Sequence, residues 1–199
     1  MGTYSLAFYT KKIYDSNCTF FALKTLRDIL EPEKPSTFFK LVKRLVTEGI
    51  LVKLEKGKYI LQNASVHDFR LANVLYTSSY ISFESALNFY GILSQFPYEI
   101  SSATVGKPLK KNVLGKTFSY VHLKKELFWG YEKKDSFLIA SPEKALLDQI
   151  YLAAKGVKAI NLDEFDYTIV DKKRLSQFVS LFPKSPQFDN RIHSLKSLS

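Results

Sequence analysis

Residues 37–61, TFFKLVKRLVTEGILVKLEKGKYIL, constrain this chain more than any other stretch. Phe38, Leu41, Val42 and Leu45 recur at the i, i+3, i+4, i+7 spacing of one helix face, which predicts a buried stripe. Thr37, Lys40, Lys43, Arg44 and Thr47 fall on the opposite side. Gly49 stands where a left-handed residue would end the helix. ILVKL and KYILQ then favour strands, and Gly57 suits a tight turn between them. A lysine-bearing helix running into a lysine-bearing hairpin predicts one extended positive surface.

Upstream, residues 3–14 predict a helix with Leu6, Phe8, Tyr9 and Ile13 on one side. Thr19 is a candidate cap for a second helix, FFALKTLRDIL, which the prolines at 32 and 35 end. Ser36 is the candidate cap of the third. Three helices and a hairpin within about 60 residues match the winged helix-turn-helix order. The third helix is then the candidate major-groove reader, and Lys53, Lys56 and Lys58 lie on or beside a wing placed to touch phosphates. The competing reading is a small helical domain with a solvated basic face.

Charge fits a polyanionic partner. The net charge is +10, and residues 1–62 and 63–199 contribute +5 each. A lone cysteine, Cys18, rules out an internal disulfide or a thiolate cluster and fits a reducing cytoplasm. The start, MGTYSLAFYTKKIY, lacks the basic-then-apolar pattern of a secretory signal. The uncharged run 85–98 is too short and too polar to span a bilayer, so no membrane partner is expected.

From residue 63 the pattern becomes mixed α+β. VHDFRLANVLY predicts a helix. Ser82 caps FESALNFYG, with Phe83, Ala86, Leu87 and Tyr90 on one face. Residues 100–105, 117–123, parts of 127–131 and 136–140 predict strands. Ser141-Pro142 opens a helix with Leu146, Leu147, Ile150, Tyr151 and Ala154 as its stripe. Asp171 caps KKRLSQFVSLF, and a last helix spans 187–198. The fold class is therefore α+β: a winged helix-turn-helix over 1–62 and a mixed domain over 63–199.

Catalytic clusters are hard to find. His67, His122 and His193 form no paired motif, and neither a GxSxG elbow nor a phosphate loop occurs. No metal or cofactor is expected. Asp163, Glu164 and Asp166 form the densest acidic stretch; a divalent cation is one reading of it, but the favoured one is a helix start capped by Asn161, with Glu164 reaching back. A weak enzyme reading would use these carboxylates. Residues 106–125 hold Lys107, Lys110, Lys111, Lys116, Lys124 and Lys125 and no acid. With Phe118, Tyr120 and His122 in one strand phase beside them, they are either a second basic surface or a lysine-guarded sheet edge.

Taken together, EGILVKLEKGKY (48–59), YISFESALNFYGI (80–92), LFWGY (127–131) and IASPEKALLDQIYL (139–152) resemble AbiEi-type antitoxins of type IV toxin–antitoxin systems. The resemblance spans nearly the whole chain. It implies an N-terminal winged helix-turn-helix that represses its own promoter, and a C-terminal domain that counters a nucleotidyltransferase-like toxin. It places contacts to double-stranded DNA on Ser36, Thr37, Lys40, Lys43 and Arg44, with Lys53, Lys56 and Lys58 of the wing. It also implies a protein without enzymatic activity that need not bind its toxin tightly. The toxin's own Gly-Ser and DxD pattern is absent from the sequence. The alternative is a plain winged-helix regulator with a sensing or assembly domain.

Overall fold

The computed structural model describes residues 5–32, 34–158 and 160–198. The chain is α+β and forms two compact units, Met1–Val66 and His67–Ser199. The division falls shortly after the predicted 62/63 boundary.

Unit one runs α1 (Leu6–Asp15), β1 (Phe20–Ala22), α2 (Leu23–Leu30), α3 (Pro35–Thr47), β2 (Leu51–Glu55) and β3 (Lys58–Leu61). Ser5 caps α1 by accepting from the Phe8 amide; the predicted start at residue 3 lies outside the described residues. Ile13 is buried, with Leu6 and Tyr9 packed against the core, whereas Phe8 turns out to solvent.

The predicted start of the second helix is incorrect. Phe20–Ala22 is a strand that pairs antiparallel with β3, in sheet order β1-β3-β2. Two adjacent phenylalanines suit a pleated surface, and Phe21 enters the core while its backbone occupies the open side of β3. Thr19 therefore caps nothing; its carbonyl accepts from the Leu61 amide at 3.0 Å.

Ser36 is not a cap either. The cap position is Lys34, without a side-chain bond, and Pro35 takes the first helical position, where its missing N–H costs nothing. The α3 stripe falls as predicted, with Phe38, Leu41, Val42 and Leu45 all buried. At the other end Gly49 adopts φ +69°. The Gly49 amide bonds the Val46 carbonyl and the Ile50 amide the Leu45 carbonyl, which closes the helix and turns the chain into β2.

Unit two is built on a six-stranded mixed sheet, order β6-β7-β5-β4-β9-β8. Its strands are β4 (Ser79–Ile81), β5 (Ile100–Thr104), β6 (Leu109–Val113), β7 (Lys116–His122), β8 (Tyr131–Lys134) and β9 (Phe137–Ala140). The helices are α4 (Asp68–Leu75), α5 (Phe83–Phe89), α6 (Pro142–Ala154), α7 (Lys172–Val179) and α8 (Pro186–Leu198). Residues 127–130 of LFWGY do not form a strand: a 3-10 turn ends at Leu127, and β8 starts at Tyr131.

Ser141 caps α6 by accepting from the Lys144 amide, and Asp171 caps α7 through the amides of Lys173 and Arg174. Helix α6 carries more than an apolar stripe. Every residue from Glu143 to Ala153 is buried, because α5, α7 and α8 all pack on it.

Candidate nucleic-acid interface

The outer face of α3 is the direct product of its period. With the apolar stripe turned inward, Ser36, Thr37, Lys40, Lys43 and Arg44 are all exposed. Among the described residues no carboxylate pairs with Lys40, Lys43 or Arg44. In the hairpin, Lys53 and Lys56 are exposed and equally unpaired, while Lys58 forms an ion pair with Glu55 at 2.8 Å. These unpaired cations keep their full charge for a partner's phosphates, whereas Lys58 must first leave Glu55.

Three further cations were not identified from the sequence. Lys24, Arg27 and Lys34 are exposed on α2 and at the start of α3, and the Arg27 guanidinium lies over the Phe38 ring at 5.1 Å. The i, i+3 spacing of Lys24 and Arg27 is the signal that could have revealed them. Phe39 is also exposed beside Lys40.

In unit two part of the lysine-rich stretch lies on a sheet edge. Leu109–Val113 forms the edge strand β6. Lys110 pairs with Glu99 at 2.6 Å, Lys116 pairs with Asp68 at 2.6 Å, and the Lys111 ammonium donates to the Leu75 carbonyl at 2.9 Å. Burial pushes the Glu99 carboxyl up, but the bond from Lys110 and the charges of Lys110 and Lys158 outweigh it and hold the group below its ordinary value. Lys107, Lys124 and Lys125 are exposed near the opposite end of the β6–β7 hairpin from Lys116. Phe118 and Tyr120 are buried, and the Tyr120 hydroxyl donates to the Ala72 carbonyl, so neither ring can stack on a base.

Segments 80–92, 127–131 and 139–152 meet in one buried cluster. Lys144 and Asp148, one helical turn apart on α6, form a fully buried ion pair. The Tyr80 hydroxyl (3.0 Å) and the Ser82 hydroxyl (2.8 Å) donate to Asp148, and Lys144 donates to Tyr80 at 2.9 Å. Ser82 thus occupies the cap position of α5 but spends its hydroxyl on Asp148. The rings of Trp129, Phe182 and Tyr80 surround the ammonium at 5.1–5.4 Å. Tyr80 also stacks on Tyr131 at 4.5 Å. Burial pushes the Asp148 carboxyl above and the Lys144 ammonium below their ordinary values, and their attraction offsets part of each shift. Tyr80, Ser82, Lys144 and Asp148 are all fully buried, and their bonds tie α6 to β4.

The acidic stretch forms a 3-10 turn, Leu162–Glu164. Asn161 accepts from the Asp163 amide and donates to Glu164 at 2.9 Å. Among the described residues, no three His, Cys, Asp or Glu side chains are placed to hold a metal ion, and no helix is long and apolar enough to cross a membrane. No protein-family model matches this chain, and neither does any curated protein.

Proposed function

We propose that unit one is a winged helix-turn-helix that binds duplex DNA, and that the protein is a type IV antitoxin repressing its own operon. One observation carries the DNA reading: the exposed face of α3 presents Lys40, Lys43 and Arg44 without counter-charges among the described residues, and the same unit carries the hairpin cations Lys53 and Lys56, likewise unpaired among them. The third helix, α3, entering the major groove with the basic hairpin on the backbone is the docking that these elements favour.

Binding to promoter DNA should then weaken steeply with salt. Each phosphate contact contributes about 0.9 to the slope of log affinity on log salt. Replacing Lys40, Lys43 and Arg44 by alanine in the full chain should flatten the slope by about 2.7 if all three touch phosphates. An unchanged slope would remove α3 from the interface.

The antitoxin half of the proposal rests on the sequence resemblance. It is tested by co-expressing a neighbouring nucleotidyltransferase-like gene product with the full chain, residues 1–66 or residues 67–199. Growth rescue by the full chain and by 67–199, but not by 1–66, is the expected result.

A cavity of about 390 Å³ in unit two, lined by Asp68, Ser85, Asn88, Tyr98, Glu99 and Lys116 among others, favours a second reading, a ligand-sensing regulator. Failure of every version to rescue, with the neighbour toxic alone, would support that reading instead.

A further inference from the structure

Phe38 and Phe39 are adjacent in sequence and opposite in fate. Phe38 is fully buried in the core of unit one, whereas Phe39 leaves 55% of its surface in water. Among the described residues its one aromatic support is an edge-to-face contact with Phe38, centroids 5.2 Å apart, which steadies the ring without covering it. Phe39 is the only large apolar side chain exposed on α3, and it lies in the N-terminal half of that helix.

On the helix surface its neighbours are Ser36 three residues before and Lys43 four residues after, both exposed, and Lys40 follows it directly. The surroundings select the partner. Lys40 and Lys43 have no counter-charge among the described residues, so the face that holds the ring is matched to a polyanion and not to an apolar protein surface.

A phenyl ring has no donor or acceptor to read a base edge. In the major groove the one apolar group that any base presents is the C5 methyl of thymine. Set against any other base, the ring would cover a donor or acceptor and leave it unpaired, which is penalised. The N-terminal residues of a recognition helix are also those that reach the bases.

We infer that Phe39 is a specificity-determining residue that packs on a thymine methyl in the operator, while the lysines around it hold the backbone. The inference rests on the DNA-binding reading above and adds to it the identity of one recognised base.

The test is selection from a random duplex library with the full chain, followed by replacement of each selected thymine by deoxyuridine, which removes only the methyl. At one thymine per recognition site, the substitution should weaken the wild-type protein by about fourfold, the factor that one buried methyl-sized group carries. Phe39→Ala should bind the thymine and deoxyuridine duplexes equally, with its salt slope unchanged. Phe39→Leu, still apolar, should keep part of the preference. If deoxyuridine costs Phe39→Ala as much as it costs the wild type, or costs the wild type nothing at any position, the assignment is overturned. If the wild type shows neither selection nor salt-dependent binding to any duplex, the DNA reading falls, and this inference with it.

Discussion

Removing Asp148 alone should destabilise unit two more than removing Asp148 and Lys144 together. In the wild type each charge is the other's main counter-ion, and both are fully buried. Asp148→Ala would leave an ammonium among Trp129, Phe182 and Tyr80 without its counter-ion, and would also free the hydroxyls of Tyr80 and Ser82. Breaking one side of a buried pair costs about 3–5 kcal/mol.

The double variant Lys144→Met with Asp148→Leu removes both charges and fills the space with apolar side chains. Its remaining cost is the two unpartnered hydroxyls, about 1–3 kcal/mol each, and the gain of about 1–4 kcal/mol from replacing a buried pair by apolar side chains offsets much of it. The chain has a single tryptophan, Trp129, which lies against Lys144, so its fluorescence reports on unit two alone. With a urea dependence of about 2 kcal/mol per molar, Asp148→Ala should lower the midpoint by about 2 M, and the double variant by about half of that. A double variant less stable than Asp148→Ala would show that the pair itself, and not its completeness, holds α6 in place.

Two further expectations concern the same unit. Gly130 adopts φ +71°, and a Cβ there would lie 3.0–3.2 Å from three carbons of the Lys144 side chain. Gly130→Ala should therefore cost about 2 kcal/mol, from left-handed strain together with displacement of that side chain, read as a lower urea midpoint. Burial, aided by the charges of Glu132 and Glu143, pushes the Tyr90 hydroxyl up to about 12. Its buried oxygen has no hydrogen-bond partner among the described residues. Because the folded value exceeds the unfolded one of about 10, the contribution of this group is complete below pH 10 and is lost as pH rises through 12. Tyr90→Phe should match or exceed the wild type at pH 7, and should show a smaller fall in urea midpoint between pH 9 and pH 11.

Local chemistry explains which elements were legible in the sequence. The α3 stripe, the glycine closing it, the hairpin, and the Ser141 and Asp171 caps all depend on residues close along the chain, so periodicity and capping rules reach them. The misread elements depend on distant partners. Phe20–Ala22 becomes a strand because β3 lies beside it, and Leu109–Val113 becomes one because β7 does. The lysine stretch read equally as a basic surface or a sheet edge because Glu99 and Asp68, which hold Lys110 of β6 and Lys116 of β7, lie outside both strands. Among the candidate contacts, the cations of α3 could be assigned by phase alone, whereas the exposure of Phe39 could be known only once Phe38 had taken the core.

By itself the sequence determined a basic α+β chain in two parts, the inward and outward faces of α3, and the hairpin behind it. Those properties follow from spacing and charge, which act over a few residues. Tertiary structure decided which lysines remain free, since an ammonium is available only where folding brings no carboxylate or carbonyl to it. It also decided that the buried polar residues of 80–92 and 139–152 form one cluster with the rings of 127–131. Ions can leave water only where all their partners arrive together, and that meeting is made by β4, α6 and the turn before β8, which are distant along the chain.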